Sequence, residues 1–117
     1  MKRTLLLLFM LLATATASFA ATDDYAARQA RRYTQEAEYY QKKADGYRRE
    51  AQYHLKKAEG YEREAAYYTK KGDADRARTY TRYATQEMDK YKTQMRYASD
   101  ADSKAADYLR KAANALK

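Results

Sequence analysis

The chain has 117 residues and a formal net charge of +8, with 14 tyrosines and no cysteine, proline or tryptophan. The absence of cysteine excludes a disulfide-bonded scaffold and a lipidated N-terminal thiol. Alanine, glutamate, glutamine, lysine and arginine, which favour helices, are abundant, and no proline interrupts them. The composition therefore predicts an all-α protein.

Residues 1–20 have the features of a secretory signal peptide. Two basic residues precede the short apolar run Leu5–Leu12, and residues 18–20 offer small side chains at a cleavage site. The run is shorter than the roughly 20 apolar residues that a membrane-spanning helix needs. We therefore predict a secreted or periplasmic protein with a mature domain of residues 21–117; an uncleaved N-terminal anchor is the alternative.

A 14-residue unit is repeated three times, with copies beginning at Tyr33, Tyr47 and Tyr61. Fourteen residues are two heptads, so the repeat predicts one long helix with a continuous seam. Small residues occupy position a and rings occupy position d: Ala37, Ala44, Ala51, Ala58, Ala65 and Gly72 at a, and Tyr40, Tyr47, His54, Tyr61 and Tyr68 at d. We predict this helix over about residues 24–71.

Gly46 and Gly60 lie inside the predicted helix and alternate with tyrosines at position c. Two interpretations are open. Each glycine either breaks the helix into shorter pieces or leaves a notch between protruding rings on a continuous helix. The heptad phase does not change across either glycine, which favours the continuous helix.

The first helix is predicted to end in a turn over residues 72–75. Gly72 suits the left-handed conformation that ends a helix, and Asp73 or Asp75 can cap the next helix. The junction resembles the helix-turn-helix of a tetratricopeptide repeat in its aromatic, small and turn positions, which are Tyr61, Ala65, Tyr68, Gly72, Ala77 and Ala84. The resemblance covers one repeat length, without the closing proline, and implies a tight antiparallel turn.

A second helix is predicted over about residues 75–115, with alanine at most a positions and with Glu87 and Gln94 as polar interruptions at d. Two long helices joined by a short turn form an αα-hairpin. We therefore predict a long antiparallel two-helix hairpin, an Ala/Tyr heptad coiled coil. Buried alanine contributes little compared with about 1.5–3 kcal/mol for a buried leucine or phenylalanine, so we expect hairpins to pair into a bundle or larger assembly. A marginal, frayed monomer is the alternative.

The sequence contains no constellation that indicates catalysis. It has one histidine, no cysteine, no glycine-rich phosphate loop and no metal-binding histidine spacing. His54 stands at a d position, where a structural ring is expected. The pairs Asp73/Asp75 and Asp100/Asp102 lack the rest of a calcium loop. We predict no enzymatic activity, metal, cofactor or small-molecule substrate.

Two sets of outward residues are candidates for self-association. One set is the tyrosines at position c of the first helix, whose alternation with glycine suits contact with identical neighbours or with sugar rings. The other set is an apolar row at position e of the second helix. Their members are Tyr39, Tyr53, Tyr67, Met88, Met95, Leu109 and Leu116. The first hypothesis is therefore an exported structural or interaction protein that forms homo-oligomers.

Position f of the first helix is basic in five successive heptads, about 10 Å apart along the axis. These residues are Lys42, Arg49, Lys56, Arg63 and Lys70. Beside the c-position rings they suit an anionic polymer or surface, such as an acidic glycan, nucleic acid or anionic lipid. Alternatively, Glu38, Asp45 and Glu59 neutralise three of them in i,i+4 salt bridges. A basic periplasmic holding chaperone is a third hypothesis.

Overall fold

The computed structural model describes residues 24–117, which form two helices and no strand. Helix α1 is Asp24–Lys71 and helix α2 is Ala74–Ala115. The helices pack against each other as a hairpin, which confirms the predicted all-α fold. The predicted signal peptide, residues 1–20, lies outside the described residues. Neither α1 nor α2 contains a stretch apolar enough to cross a membrane.

Helix α1 runs through Gly46 and Gly60 without a break, as the unchanged heptad phase predicts. Among the described residues, positive φ occurs at Gly72 alone, so the two internal glycines keep helical geometry. The interpretation that each glycine ends a helix is therefore wrong. Seven-residue periodicity on both sides of each glycine keeps the small side chains on the packed face, and this packing outweighs the low helix propensity of glycine.

The turn between the helices consists of Gly72 and Asp73. Gly72 has a φ of 79°, and its N–H donates to the Thr69 carbonyl at 3.1 Å, while the Asp73 N–H donates to the Tyr68 carbonyl at 2.9 Å. These two bonds form the helix-ending motif that favours glycine at the left-handed position. Asp73 Oδ1 then accepts the N–H of Arg76 at 3.1 Å. Asp73 is thus the cap, and α2 begins one residue earlier than predicted.

The hairpin divides into two compact units. Among the described residues, the first unit consists of residues 24–42 with Ala101–Lys117, and the second unit is Lys43–Asp100. In the first unit, buried Ala37, Ala105 and Leu109 form a core cluster, against which Tyr40 and Tyr108 pack.

Alanine fills the buried positions of both units. The a positions of α1 from Ala37 to Ala58 have no exposed surface, and Ala65 is 9% exposed. Every buried hydrophobic residue that the structure describes is alanine, apart from Leu109. The predicted seam is confirmed. Small side chains let two helices approach closely, but each buried methyl group contributes little hydrophobic free energy.

Tyrosine rings at the d positions pack beside this seam and supply most of the aromatic contacts. In the second unit, the rings of Tyr68 and Tyr80 stack with centroids 5.5 Å apart and planes 6° apart. In the first unit, Tyr40 and Tyr108 stack at 5.8 Å and 9°. Such pairs contribute about 0.5–1.5 kcal/mol each beyond the area they bury. The rings therefore supply stabilisation that the alanine methyl groups cannot.

We expect Gly46→Ala and Gly60→Ala each to raise the free energy of unfolding by about 0.5–1 kcal/mol, the usual cost of glycine inside a helix. A Cβ at Gly46 would lie 4.0 Å from Arg49 Nη2, and one at Gly60 would lie 3.9 Å from Arg63 Nη2, so alanine fits at both positions. Urea denaturation followed by circular dichroism measures the change. Gly72→Ala is the control and should destabilise, because its φ is 79°. A loss of stability at Gly46 or Gly60 would contradict a continuous α1.

Candidate functional site

The basic-aromatic face is the outward surface of α1 in the second unit. We define it by the cations at position f and the rings at position c, which are Arg49, Tyr53, Lys56, Arg63, Tyr67 and Lys70. All six side chains are exposed, as the heptad predicts. Lys42 and Tyr39, the corresponding residues in the first unit, are also exposed.

The five f-position cations make no ion pair with any residue between 24 and 117. The expected i,i+4 salt bridges from Glu38, Asp45 and Glu59 are therefore wrong. Asp45 Oδ1 instead binds Arg48 Nη1 at 3.3 Å, at a spacing of i,i+3. Exposed pairs of this kind contribute only about 0–1 kcal/mol, so alternative partners compete readily. The cations of the face are consequently left without an ion pair on the helix that carries them.

Each tyrosine of the face carries a lysine against its ring. Lys57 Nζ lies 5.3 Å from the Tyr53 ring centroid, and Lys71 Nζ lies at the same distance from the Tyr67 centroid. Cation–π contacts at exposed sites contribute about 0.5–1 kcal/mol. The rings remain 55% and 52% exposed. The 14-residue repeat thus reproduces one ring-and-lysine pair at two positions along the second unit.

The apolar row at position e of α2 is only partly available for contacts with another molecule. In the second unit, Met95 is 36% exposed and Met88 is half-buried. In the first unit, Leu116 is half-buried, but Leu109 is 5% exposed and belongs to the core cluster. Leu109 therefore does not join the outward row, because the hairpin's own packing already covers it.

Beside Met88, the second unit has an open groove of about 330 Å³. Its floor contains two alanines of the seam, and its rim contains both acidic and basic side chains. The lining residues are Glu62, Ala65, Thr81, Ala84, Thr85, Met88, Asp89 and Lys92. The groove is shallow and mixed in polarity, so it suits a packed side chain better than an enclosed small molecule.

A buried carboxylate, Glu87, interrupts the seam of the second unit with a side chain only 7% exposed. His54 Nδ1–H donates to Glu87 Oε2 at 2.5 Å. Lys57 Nζ and Lys90 Nζ lie 3.3 and 3.6 Å from Glu87 Oε1. We call these four residues the Glu87 cluster. On its other side, His54 Nε2 is 3.9 Å from Glu50 Oε2.

The charges of the Glu87 cluster determine how its groups ionise. Burial alone raises the pKa of Glu87, but hydrogen bonds from His54 and Lys57, with the charges of Lys57 and Lys90, hold it below 4.5. The hydrogen bond to Glu87 and its negative charge raise the pKa of Lys57 above 10.5. Glu87 is thus a charged carboxylate inside an otherwise uncharged seam, with Lys57 and Lys90 at its edge.

Sequence reasoning recognised His54 as a ring of the seam and Glu87 as an interruption, but it did not pair them. A signal for the pairing was available at position d, where His54 and Glu87 are exceptions and other heptads have tyrosine, glutamine or alanine. The pairing satisfies both polar groups at once. Among residues 24–117, no group of three or more metal-ligating side chains converges.

The Glu87 cluster generates a pH prediction. The pKa of Glu87 in the folded protein is lowered, so its carboxylate stabilises the fold fully above pH 4.5. This stabilisation is lost as the pH falls through the folded pKa. At neutral pH, Glu87→Gln should lower the free energy of unfolding by about 1–3 kcal/mol, the usual cost of a lost charged hydrogen bond. It should also lose less stability on acidification than the unsubstituted protein. Urea denaturation between about pH 7 and pH 3 tests this; equal acid sensitivity would contradict it.

No family model matches this chain, and no curated protein or solved structure matches it either. Its function is therefore inferred from the basic-aromatic face, the apolar row with its groove, and the Glu87 cluster.

Proposed function

We propose that this protein is an exported structural or interaction protein that self-associates through apolar surface that its hairpin leaves uncovered. The observation that carries the proposal is the contrast between core and surface. Apart from Leu109, the buried hydrophobic residues of the described chain are alanines, while large side chains remain outside. The exposed large hydrophobic residues are Tyr25, Tyr39, Tyr53, Tyr67, Tyr83, Met95 and Tyr97.

The energetic argument follows from this contrast. Covering alanine methyl groups yields little free energy per residue, whereas ordering each residue costs about 1–2 kcal/mol of backbone entropy. A small domain with such a core gains stability from oligomerisation. A second copy that covers large side chains such as leucine and methionine adds the larger contributions that the seam lacks.

Position e in the second unit is the best-supported contact surface. His54 and Glu87 meet across the seam. The residues that follow them, Leu55 and Met88, both occupy position e, so they lie on the same side of the hairpin. Met95 continues this row one heptad later and is exposed. Leu55 and Met88 are half-buried, which leaves part of each side chain for a partner.

Charge distinguishes this surface from the basic-aromatic face. The groove rim beside Met88 carries Glu62 and Asp89 together with Lys92, so two copies can meet there with opposite charges opposed. Two basic-aromatic faces would instead bring rows of unpaired cations together, which is unfavourable. Self-association is therefore assigned to Leu55, Met88 and Met95 rather than to Tyr53 and Tyr67.

Export is part of the proposal and is supported by the signal-peptide features of residues 1–20. We expect a bacterial host that expresses the full chain to accumulate, outside its cytoplasm, a protein beginning at Ala21. Intact-mass spectrometry of the fractionated cells measures this. A full-length chain retained in the cytoplasm would contradict export and would leave the self-association proposal unaffected.

Light scattering over a wide concentration range tests self-association. We expect a molar mass above that of one chain, which grows with protein concentration. The assembly should persist at high salt, because its contacts are apolar. Met88→Glu with Met95→Glu should weaken association at least about tenfold, since a buried unpaired carboxylate costs more than ~1.4 kcal/mol.

The matched control is Gln86→Glu with Ser103→Glu, which adds the same charge at exposed positions of α2 away from position e. This control should retain the assembly. A chain that stays monomeric at every concentration would contradict self-association, and equal weakening by both double variants would contradict the apolar surface at position e.

A further inference from the structure

The cations of the basic-aromatic face form an unpaired row on a rigid support. Arg49, Lys56, Arg63 and Lys70 are exposed, and none forms an ion pair with any described residue. Two of the nearby acids have other neighbours, since Asp45 binds Arg48 and Glu50 lies beside His54. One heptad separates successive cations, or about 10 Å along the helix. Such a row attracts an extended anion rather than a single small one.

The face also alternates in shape and chemistry from one heptad to the next. The Arg49 guanidinium lies 4.0 Å from where a Gly46 Cβ would stand, and the Arg63 guanidinium lies 3.9 Å from the same point at Gly60. The two glycines leave notches in the surface. The exposed ring of Tyr53 lies between them, and the exposed ring of Tyr67 follows Gly60. A guanidinium offers a planar fork that suits carboxylate or sulfate, whereas a tyrosine ring offers a flat apolar surface with a hydroxyl.

The spacing decides among anionic polymers. Nucleic acid carries a phosphate about every 3.4 Å of each strand, and proteins that bind its single strands stack successive bases on aromatic rings. Here the cations stand about 10 Å apart and the two rings about 21 Å apart, too sparse for adjacent phosphates or bases. A chain of sugar rings has a lower charge density. Where each ring carries one acidic group, every second group falls near the spacing of these cations.

A lipid surface fits less well. Helices that lie in a membrane interface bury leucine, phenylalanine or tryptophan side chains among the acyl chains. The basic-aromatic face has none of these residues. Its two rings also carry lysines, Lys57 and Lys71, on one side. We therefore propose that the basic-aromatic face binds a linear acidic polysaccharide, with the arginines and lysines holding its carboxylate or sulfate groups and Tyr53 and Tyr67 contacting its sugar rings.

This function is separate from self-association, because positions c and f of α1 face away from the apolar row at position e.

The proposed site also explains why positions 46 and 60 are glycine. Neither glycine is required by packing within the hairpin, since a Cβ would meet no atom closer than 3.9 Å. Both leave space beside a guanidinium, where a sugar ring and its acidic group can approach the helix backbone.

Titration calorimetry of the purified protein with polygalacturonate tests the proposal. An oligothymidylate and phosphatidylglycerol vesicles, matched in total charge, are the comparison probes. We expect saturable polygalacturonate binding that weakens as salt rises, with a shallower salt dependence than nucleic-acid binding because fewer condensed counterions are released. Tighter binding of the oligothymidylate or of the vesicles than of polygalacturonate would overturn the polysaccharide assignment.

Two charge-matched variants locate the site. The face variant replaces its four cations by glutamine, at Arg49, Lys56, Arg63 and Lys70. The control removes four exposed cations elsewhere, at Arg31, Arg32, Arg82 and Arg96. Glutamine is a good helix former, so both variants should keep their helicity. The face variant should bind polygalacturonate at least about tenfold more weakly than the control, because four close charge contacts are lost.

Equal weakening in both quadruple variants would show attraction by net charge alone and would overturn the site. Absence of binding by the unsubstituted protein at low salt would overturn it too. Lys56→Glu with Lys70→Glu gives a second measurement that does not depend on the quadruple variant folding. It should abolish binding while circular dichroism stays unchanged, and retained binding would contradict the proposal.

Discussion

The packing of two helices over an alanine seam is the constraint on which the rest of the structure depends. With alanine at nearly every buried position, no large side chain fits between the helix axes, so rings such as Tyr40 and Tyr68 are displaced to the edges of the seam, where they are half-buried. The hairpin gains contacts between rings but little buried apolar area per residue. The partial exposure of these rings is a direct consequence of so narrow a core.

A uniform seam also creates a problem of register, because shifting one helix by a heptad places alanine against alanine again. Glu87 removes this degeneracy in the second unit. Its carboxylate is satisfied by His54 and Lys57 at one position of α1, whereas one heptad away it would face Tyr47 or Tyr61. The cost of burying these charges offsets part of what their pairing contributes, and a misplaced carboxylate would lose its partners altogether. We therefore attribute specificity of alignment, as well as some stability, to the Glu87 cluster.

The sequence predicted the fold well because its information was periodic and local. Heptad phase defined both helices and their seam, and Gly72 with Asp73 defined the turn, since capping depends on a few neighbouring residues. The sequence could not predict how far one helix is shifted along the other, and this alignment is what pairs His54 with Glu87. The sequence also predicted an exposed Leu109. In the structure Leu109 is buried, because position e is partly covered when the opposing side chains are small. The salt bridge expected for Asp45 failed because long side chains choose between i+3 and i+4 partners of nearly equal energy.

The two proposed surfaces reinforce each other through their separation on α1. If copies join through Leu55, Met88 and Met95, their basic-aromatic faces remain outward, because positions e and f point in different directions. Several such faces on one assembly would engage a long polymer together, and the second contact would benefit from the high effective concentration that the first creates. Weak individual contacts from Arg49 or Lys56 would then suffice for tight overall binding. An alanine core that favours assembly and an outer row of cations that favours a long anion would thus both act through repetition of one 14-residue unit.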